Sequence, residues 1–567
     1  MLSPQQHKPA ATFIRLACLT AALTACAPKD FRPAAVGSVA IKQGSTAILK
    51  IHVERDEALK GPIAVSVKNL PDGVTASTGT IPEGKTDAEL TLIATASAPM
   101  SPTATGATSS SSSAAAPQPT VTFSVDKTAH DVPLALTVRP LSGSADKAFG
   151  KDGTVRMKMG VYLKRDHANT IALTSDEKIL LGGQKDDHFA VYRLRPDGQP
   201  DASFGKQGLA VAAGAPGTIE KLLVDADGSF VALGADQYEG SGVMLAKFTK
   251  DGQLDPAFGK NGSVNYKFSG FAYHGVSDAV RQSDGKMVIV GAIGNERGGS
   301  GGMSDGKSLL ARFNPDGGVD RSFGGGGRVI GAPQEFGYAD DVELGPNDTL
   351  VVVGSTYNHW GDTWGSNVFY LARYLNDGSA DGSFGNNGFV TYTERHQDGS
   401  DGKADAYGVG VNVLPDGKVL TLANTTTANA DMGDWRNRMR VAQYLPDGAR
   451  DIDFGEDGEV SYDFGHSALA SGLTRAPDGY FLTATVTPEE SATSAPSLVK
   501  LSKDGTLDES FNYDGRVGTG TLDIPLNAVL LKNGQVLSGA TLSPFFQDFD
   551  DNEDAAKVNV ELVKINP

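Results

Sequence analysis

Several residue types that would widen the choice of folds and activities are nearly missing from this chain. Across 567 residues it holds two cysteines, three tryptophans and nine methionines. No stretch carries the 3.6-residue apolar period of an amphipathic helix, so sites that need a helix have nothing to stand on. There is no nucleophile elbow on a strand–turn–helix, no phosphate loop and no dinucleotide fingerprint in context. The glycine runs at Gly298 to Gly302 and Gly324 to Gly327 read as loop and turn. No cofactor is expected. Basic residues are also in deficit, with 50 Lys and Arg against 68 Asp and Glu for a net charge of -18. Such a surface disfavours nucleic acid and anionic membrane faces as partners and favours solubility. What the chain has in plenty is glycine, 69 residues of it, as many short strands and tight turns require.

The two cysteines both fall near the start. Lys8 and Arg15 make a basic region without acids, and Leu16 to Ala25 is a short apolar run ending in small residues. That pattern is a secretory signal, too short to span a bilayer. It closes on Leu23-Thr24-Ala25-Cys26, which resembles the lipobox of bacterial lipoproteins. The resemblance implies a signal peptide at 1–25, cleavage before Cys26, acylation of that residue and a lipidated tether at 26–31. Ordinary secretion with a coincidental cysteine is the plainer alternative. Cys18 would leave with the signal, so the mature chain would have no disulfide and would depend on packing. Loss of Lys8 and Arg15 would take the net charge from -18 to -20. Ala27, not Asp, follows the cysteine, which resembles outer-membrane sorting. The expected place is the bacterial cell envelope, with the bilayer touched through acylated Cys26.

From about residue 140 the chain repeats itself. Asp-Gly-x-x-Asp-x-x-Phe-Gly-x-x-Gly recurs seven times, centred on Phe149, Phe204, Phe258, Phe323, Phe384, Phe454 and Phe511, at spacings of 54 to 70 residues. Periods of this size belong to solenoids, propellers and arrays, in which a unit buries its apolar face against its neighbours. Each unit reads as four short strands. A small one follows the motif (Gly262 to Val264, Gly327 to Val329), and a second leads into Asp227-Gly228, Asp284-Gly285, Asp416-Gly417, Asp478-Gly479 or Asn533-Gly534. Asp-Gly and Asn-Gly predict type I′ hairpins there. A strongly apolar third strand and a fourth such as Leu310 to Phe313 complete the unit. Four antiparallel strands in seven units predict a β-propeller. The chain stops on one half of the motif text and the array opens on the other half, which predicts a ring closing near residues 140 and 567.

The array resembles the delta-60 repeat family, whose units carry the text PDGKILVAG followed by FALARYNPDGSLDPSFGxxGxV. The resemblance covers about three quarters of the chain and implies the propeller fold and an envelope setting, with no shared activity to carry over. Ser142, Asn512 and Asn347-Asp348 depart from the pattern, each by a swap that a turn tolerates. The recurring Asp197, Asp201, Asp255, Asp320, Asp381, Asp451 and Asp508 lack the dense spacing of a calcium loop. They read as caps on turn amides, with the phenylalanines as plugs between units.

Residues 32–139 differ. Val39 to Ile41, Ala47 to Val53, Ile63 to Val67, Ala88 to Ile93, Thr120 to Val125 and Leu134 to Val138 alternate as strands between Gly, Pro and Asp turns. Their order resembles the immunoglobulin-like β-sandwich modules of bacterial surface proteins. A Ser/Ala/Pro-rich run near 95–119 predicts a disordered loop inside that sandwich. The expected fold is all-β, a sandwich followed by a seven-bladed propeller of four-stranded blades, in a monomer.

Two faces follow from the strand order. The Asp-Gly turns and the Phe-Gly motifs share one face at nearly fixed length, while the other carries connections of very unequal length, where binding and catalysis concentrate. Trp360, Trp364 and Trp435 all lie in such connections of adjacent units. Tryptophan is enriched at interface hot spots and sugar-stacking surfaces, though it also packs the small cores of loops. His167, His188, His274, His359, His396 and His466 map to the same face or its borders, none of them at metal-ligand spacing, so whether a metal is bound stays open. Trp360, Trp364, Trp435, His167, His274 and His359 are the candidate contacts with a protein or glycan partner. The rival is a hydrolase or lyase with a metal or carboxylates at the top of the central channel. No catalytic residue is assigned.

Overall fold

The computed structural model describes residues 31–55, 59, 61–95, 98–99, 118–125, 128–157, 167–235, 242–295, 305–331, 336–360, 363–392, 405–429, 434–464, 467–487, 494–512, 514–519, 524–541 and 560–567. The side chains of residues 357–366 and 427–436 are not part of that description. Cys26, the signal, the tether up to residue 30, most of the run near 95–119, His396 and His466 lie outside it. The described residues are all β apart from one 3-10 turn at Pro346–Asp348. They fall into two compact units, residues 1–144 and 145–567.

The first unit packs two four-stranded sheets over one core. One contains Phe31–Pro33, Thr46–Arg55, Asp87–Ala94 and Val74–Ala76; the other contains Gly79–Ile81, Ile63–Lys68, Thr120–Val125 and Thr128–Pro133. Leu49, Ile51 and Val53 alternate inward from the first sheet and Ile63, Val65 and Phe123 from the second, as the two-residue strand period requires. A parallel pair, Val39–Lys42 with Leu136–Arg139, adds Ile41 and Val138 to that core. The six predicted strands are present. Four more, at 31–33, 74–76, 79–81 and 128–133, are too short or too polar to announce themselves.

The second unit is built from seven four-stranded antiparallel sheets. We number them I to VII by their first strands: His167–Leu173, Thr218–Val224, Tyr273–Arg281, Gly337–Leu344, Asp405–Val413, Ser467–Ala476 and Ile524–Leu530. Each first strand contacts that of the next sheet, and the first strand of VII contacts that of I, so the inner strands close a ring. Second strands are largely buried, Met287–Gly294 along its whole length, because sheets lie against both of its faces. That is the arrangement of a β-propeller.

The repeat is phased differently from the sequence reading. The short strand after each motif pairs with the strand before the motif: Leu209–Pro216 with His188–Leu194, and Phe389–Tyr392 with Thr363–Tyr374. It is therefore the outer, fourth strand of the preceding sheet, and the motif is a hairpin loop inside one sheet. Sheet VII shows the consequence. Its outer strand is Thr154–Met157, which pairs with Val560–Ile565, Thr154 opposite Val563, so the two ends of the array share a sheet. Asp146 N donates to Lys564 O at 2.7 Å beside that pairing.

The hairpin turns also differ from expectation. Gly228 (φ 86), Gly285 (φ 84), Gly417 (φ 84) and Gly534 (φ 85) take positive φ, but Asp227, Asp284, Asp416 and Asn533 before them do not. Gly228 N donates to Asp225 O, and Asp225 N to Ser229 O, which makes a type I turn closed by a glycine bulge. The aspartate is retained for its side chain, since Asp227 accepts from Ser229 N at 2.9 Å. At Asn347-Asp348 both residues take positive φ (59 and 57), the departure from Asp-Gly being absorbed in a different turn.

Candidate functional site

The fixed face explains the motif. In sheet III, Arg312 Nε donates to Asp320 at 2.9 Å while its guanidinium lies 4.8 Å from the centre of the Phe323 ring. The other oxygen of Asp320 accepts from Ser322 N at 3.1 Å. Arg193 with Asp201 and Phe204, and Arg373 with Asp381 and Phe384, repeat the set. Gly150, Gly205, Gly259, Gly324 and Gly385, each after a motif phenylalanine, donate to the next sheet's turn, as in Gly205 N to Asp251 O at 2.9 Å and Gly324 N to Asp377 O at 2.8 Å. The next sheet's turn glycine lies on the phenylalanine itself; at Gly378 (φ 87) a Cβ would sit 2.9 Å from the Phe323 ring. All seven phenylalanines are buried. Burial raises the pKa of Asp201 and Asp320, but the Ser203 or Ser322 hydroxyl and amide and the neighbouring arginine outweigh it and bring both down to about 2. These aspartates are structural.

The inner ring was not foreseen. Every first strand slips register beside its second strand at the same point, with an inserted residue such as Asn169, Glu220, Ser277, Asp340, Val409 or Ser471. Sheet VII slips between Leu526 and Val529. A bulge re-aims side chains and frees backbone groups. The freed amides are met by the preceding sheet: Ile171 N donates to Asn527 at 2.7 Å, Val342 N to Asp278 at 3.4 Å and Val411 N to Asp341 at 2.8 Å. Val413 N donates to Glu343. In sheet II the equivalent position is Lys221, which cannot accept and instead lies 2.5 Å from Asp278.

The result is a charged cluster across sheets II to IV. Asp341 lies close enough to Asp278 for the two carboxylates to disfavour one another's charge. Lys221 keeps 35% of its side chain open to solvent. Desolvation pushes Asp341 well above the usual carboxylate range, helped by Asp278 and opposed by Lys221. Desolvation likewise lifts Glu220 to about 7 against its bond from Asn169, and Asp340 to about 7 against Ser355. Glu343 is raised for the same reason, against the Val413 amide and Arg475. The lysine is pulled down by burial, but Asp278, Asp341 and Glu343 together carry it above its ordinary value. The signal in the sequence was the charged pairs inside two first strands, Glu220-Lys221 and Asp340-Asp341.

On the opposite face the second and third strands join in hairpins of unequal reach. Sheet I turns at once through Asp186-Asp187, which take φ of 50 and 64 between the paired Lys185 and His188. In sheet IV, Leu350–Trp360 and Thr363–Tyr374 stay paired out to Trp360 opposite Thr363 and His359 opposite Trp364. In sheet V, Val419–Asn429 and Asp434–Tyr444 reach Ala428 opposite Trp435 and Asn429 opposite Asp434. The segments read as loops are ribbons. They pass beyond their first strands, whose last partners are Thr356 and Thr426. At the base of the sheet IV ribbon, Asn367 donates to Asp405 (2.7 Å from N) and to Tyr407 Oη (2.8 Å) in sheet V.

The three tryptophans thus share one face on adjacent sheets, while the orientation of their side chains and of His359 lies outside the described residues. His167 begins the first strand of sheet I and is half-buried; His188 Nδ1 lies 2.7 Å from Asp186 O. His274 is 3% exposed, accepts from Phe268 N at 2.9 Å and stacks on the Phe268 ring, so it stabilises its own loop. Among the described residues no three His, Cys, Asp or Glu side chains are grouped to hold a metal ion, and no helix is long and apolar enough to cross a membrane.

A family model described as a domain of unknown function (DUF5122) beta-propeller matches residues 174–204, 282–323 and 345–384. The match covers parts of sheets I, III and IV and supports a β-propeller. No curated protein matches the chain. Among solved structures, it is similar to polysaccharide lyase Uly1 at 10% identity and a TM-score of 0.42, over 71% of this chain and 90% of that one. An endo-arabinase from Bacteroides thetaiotaomicron aligns at 12% identity and a TM-score of 0.26, over 51% and 96%. Drosophila Semaphorin 1b aligns at 12% identity and a TM-score of 0.27, over 59% and 72%.

Proposed function

We propose that the chain is a cell-envelope lipoprotein that binds a protein or glycan partner through the face bearing the two ribbons. In this reading Cys26 is acylated and anchors the protein, probed by its labelling with a fatty-acid precursor in bacterial cells. Residues 32–139 form an immunoglobulin-like spacer, and the seven sheets are the seven blades of one monomeric propeller. The observation that carries the reading is the pairing that continues to Trp360 and Trp435. At about 3.3 Å per residue the sheet IV ribbon stands roughly 13 Å beyond its first strand. A folded ribbon that leaves its sheet and carries the chain's tryptophans is built to meet something.

The test is cross-linking of the lipidated protein in its own cells, beside a Trp360→Ala, Trp364→Ala, Trp435→Ala variant of normal stability. A partner recovered with the parent and lost with the variant supports the reading. A partner kept by both moves the contact elsewhere.

A second reading, a hydrolase or lyase, is favoured by one observation: Glu220 and Asp340 are held near a pKa of 7, where a carboxyl can act as general acid or base. Glycan cleavage by the parent that disappears in Glu220→Gln or Asp340→Asn would favour it over binding alone.

A further inference from the structure

The sheets are not all joined alike on the fixed face. Arg193, Arg312 and Arg373 reach from their third strands to carbonyl oxygens in the next sheet's turn, those of Lys250, Asn376 and Pro446. Lys564 does the same from sheet VII, donating to Pro196 O at 2.6 Å. In sheet V the equivalent residue is Gln443, too short to cross. Asp451, whose counterpart Asp381 is held by Arg373, is held instead by Lys418 at 2.7 Å. The Gln443 side chain is left 6% exposed, and among the described residues its amide has no hydrogen-bond partner.

Where the guanidinium would have lain there is a cleft of about 720 Å³ between sheets V and VI. Gln443, Lys418, Arg475, Lys503, Tyr480 and Asp416 are in its lining. The Gln443 amide lies in the lining of the cleft, where a ligand offering both a donor and an acceptor, as neighbouring hydroxyls do, can pair with it. Arg475 and Lys503 are exposed at the rim. Arg475 spends one donor on Val413 O at 3.1 Å, and Lys503 makes no ion pair among the described residues. With Lys418 paired to Asp451, Arg475 and Lys503 against Asp416 leave the cleft positive in a chain of net charge -18. Tyr480, packed in the core between the sheets, closes the floor of the cleft. The size is that of a small-molecule site.

We propose that this cleft binds an acidic saccharide, with Gln443 taking ring hydroxyls and Arg475 and Lys503 taking the uronate carboxylate. The site stands apart from the ribbons, at the other ends of the strands, and does not depend on them. The experiment is calorimetric titration of the purified protein with trigalacturonate, with a neutral trisaccharide at equal ionic strength beside it. The parent binds trigalacturonate, more weakly as salt rises, and does not bind the neutral sugar. Gln443→Arg installs the residue of sheets I, III and IV, stays folded with a melting temperature at or above the parent's, and loses binding. Lys503→Glu, on the surface, weakens binding by about tenfold or more. No binding of trigalacturonate by the parent, equal binding of the neutral sugar, or undiminished binding by folded Gln443→Arg would each overturn the proposal.

Discussion

Carboxylates occupy two regions of the ring, and the same side chain behaves oppositely in each. In the Phe-Gly motifs Asp201 and Asp320 have their pKa values brought down to about 2, while along the inner strands Glu220 and Asp340 are lifted to about 7. Both regions desolvate the group. The motif aspartate, however, has an arginine, a serine hydroxyl and a backbone amide built within a dozen residues of it, whereas Glu220 has one asparagine and Asp340 one serine. Burial decides the charge state only where local partners are too few. The outer carboxylates hold the sheets together and the inner ones are left with protons to exchange.

The comparison is broken most severely by removing an outer carboxylate. Asp320→Ala leaves Arg312, 4% exposed, without its counter-ion, and should cost about 3–5 kcal/mol in denaturant unfolding. A loss below about 1 kcal/mol would mean that the motif pair contributes no more than a surface bridge. Next comes Lys221→Met, which removes the cation from Asp278. The loss should be on the order of 1–3 kcal/mol at neutral pH, shrinking toward pH 5 as Asp341 and its neighbours take up protons. A loss that grew on acidification would contradict the assignment of protons to this cluster.

Acid and base titration of the folded protein then separates the regions without mutation. Glu220 and Asp340 have folded pKa values above their unfolded ones, so their contribution to stability is complete below about pH 4 and is lost as pH rises through about 7. Asp201 and Asp320 have lowered values, so theirs is present above about pH 4 and is lost as pH falls toward 2. The melting temperature should therefore fall from about pH 5 to 8, and Glu220→Gln with Asp340→Asn should flatten that slope. A parent with no slope there would remove the inner half of the comparison. The smallest effect belongs to an exposed motif carboxylate with no arginine of its own. Asp377 caps Ser379 N at 2.9 Å, and Asp377→Ala should cost about 0.5–1 kcal/mol.

The outer network was legible because it is local: Arg373, Asp381 and Phe384 lie within a dozen residues and recur in register. The inner cluster was not, because Lys221 and Asp278 come from different sheets and meet only when the ring closes. The bulge hid it further, since one inserted residue shifts every later side chain to the other face and defeats a two-residue pattern. The phase of the repeat was missed for a related reason. A short strand beside the motif fits either neighbour in sequence, and only the bonds Gly208 N to Phe204 O and Arg193 N to Gly208 O turn it back. The ribbons did leave a sign that was passed over: Gly361-Asp362 between Trp360 and Thr363 is a two-residue hairpin signal. Gln443, the one arginine position filled by an amide, was equally visible as text, but its meaning needed the cleft beside it.

Because Trp360, Trp364 and Trp435 are the chain's whole complement of tryptophan, its selectively excited tryptophan fluorescence reports the ribbons alone. Acrylamide quenching of the purified protein, before and after addition of cell-envelope extract, is the direct measurement. The account predicts tryptophans open to quencher in the free protein and shielded once the partner is bound, with no shielding from an extract depleted on immobilised parent protein. Tryptophans already closed to quencher in the free protein, packed within the ribbons themselves, would contradict it.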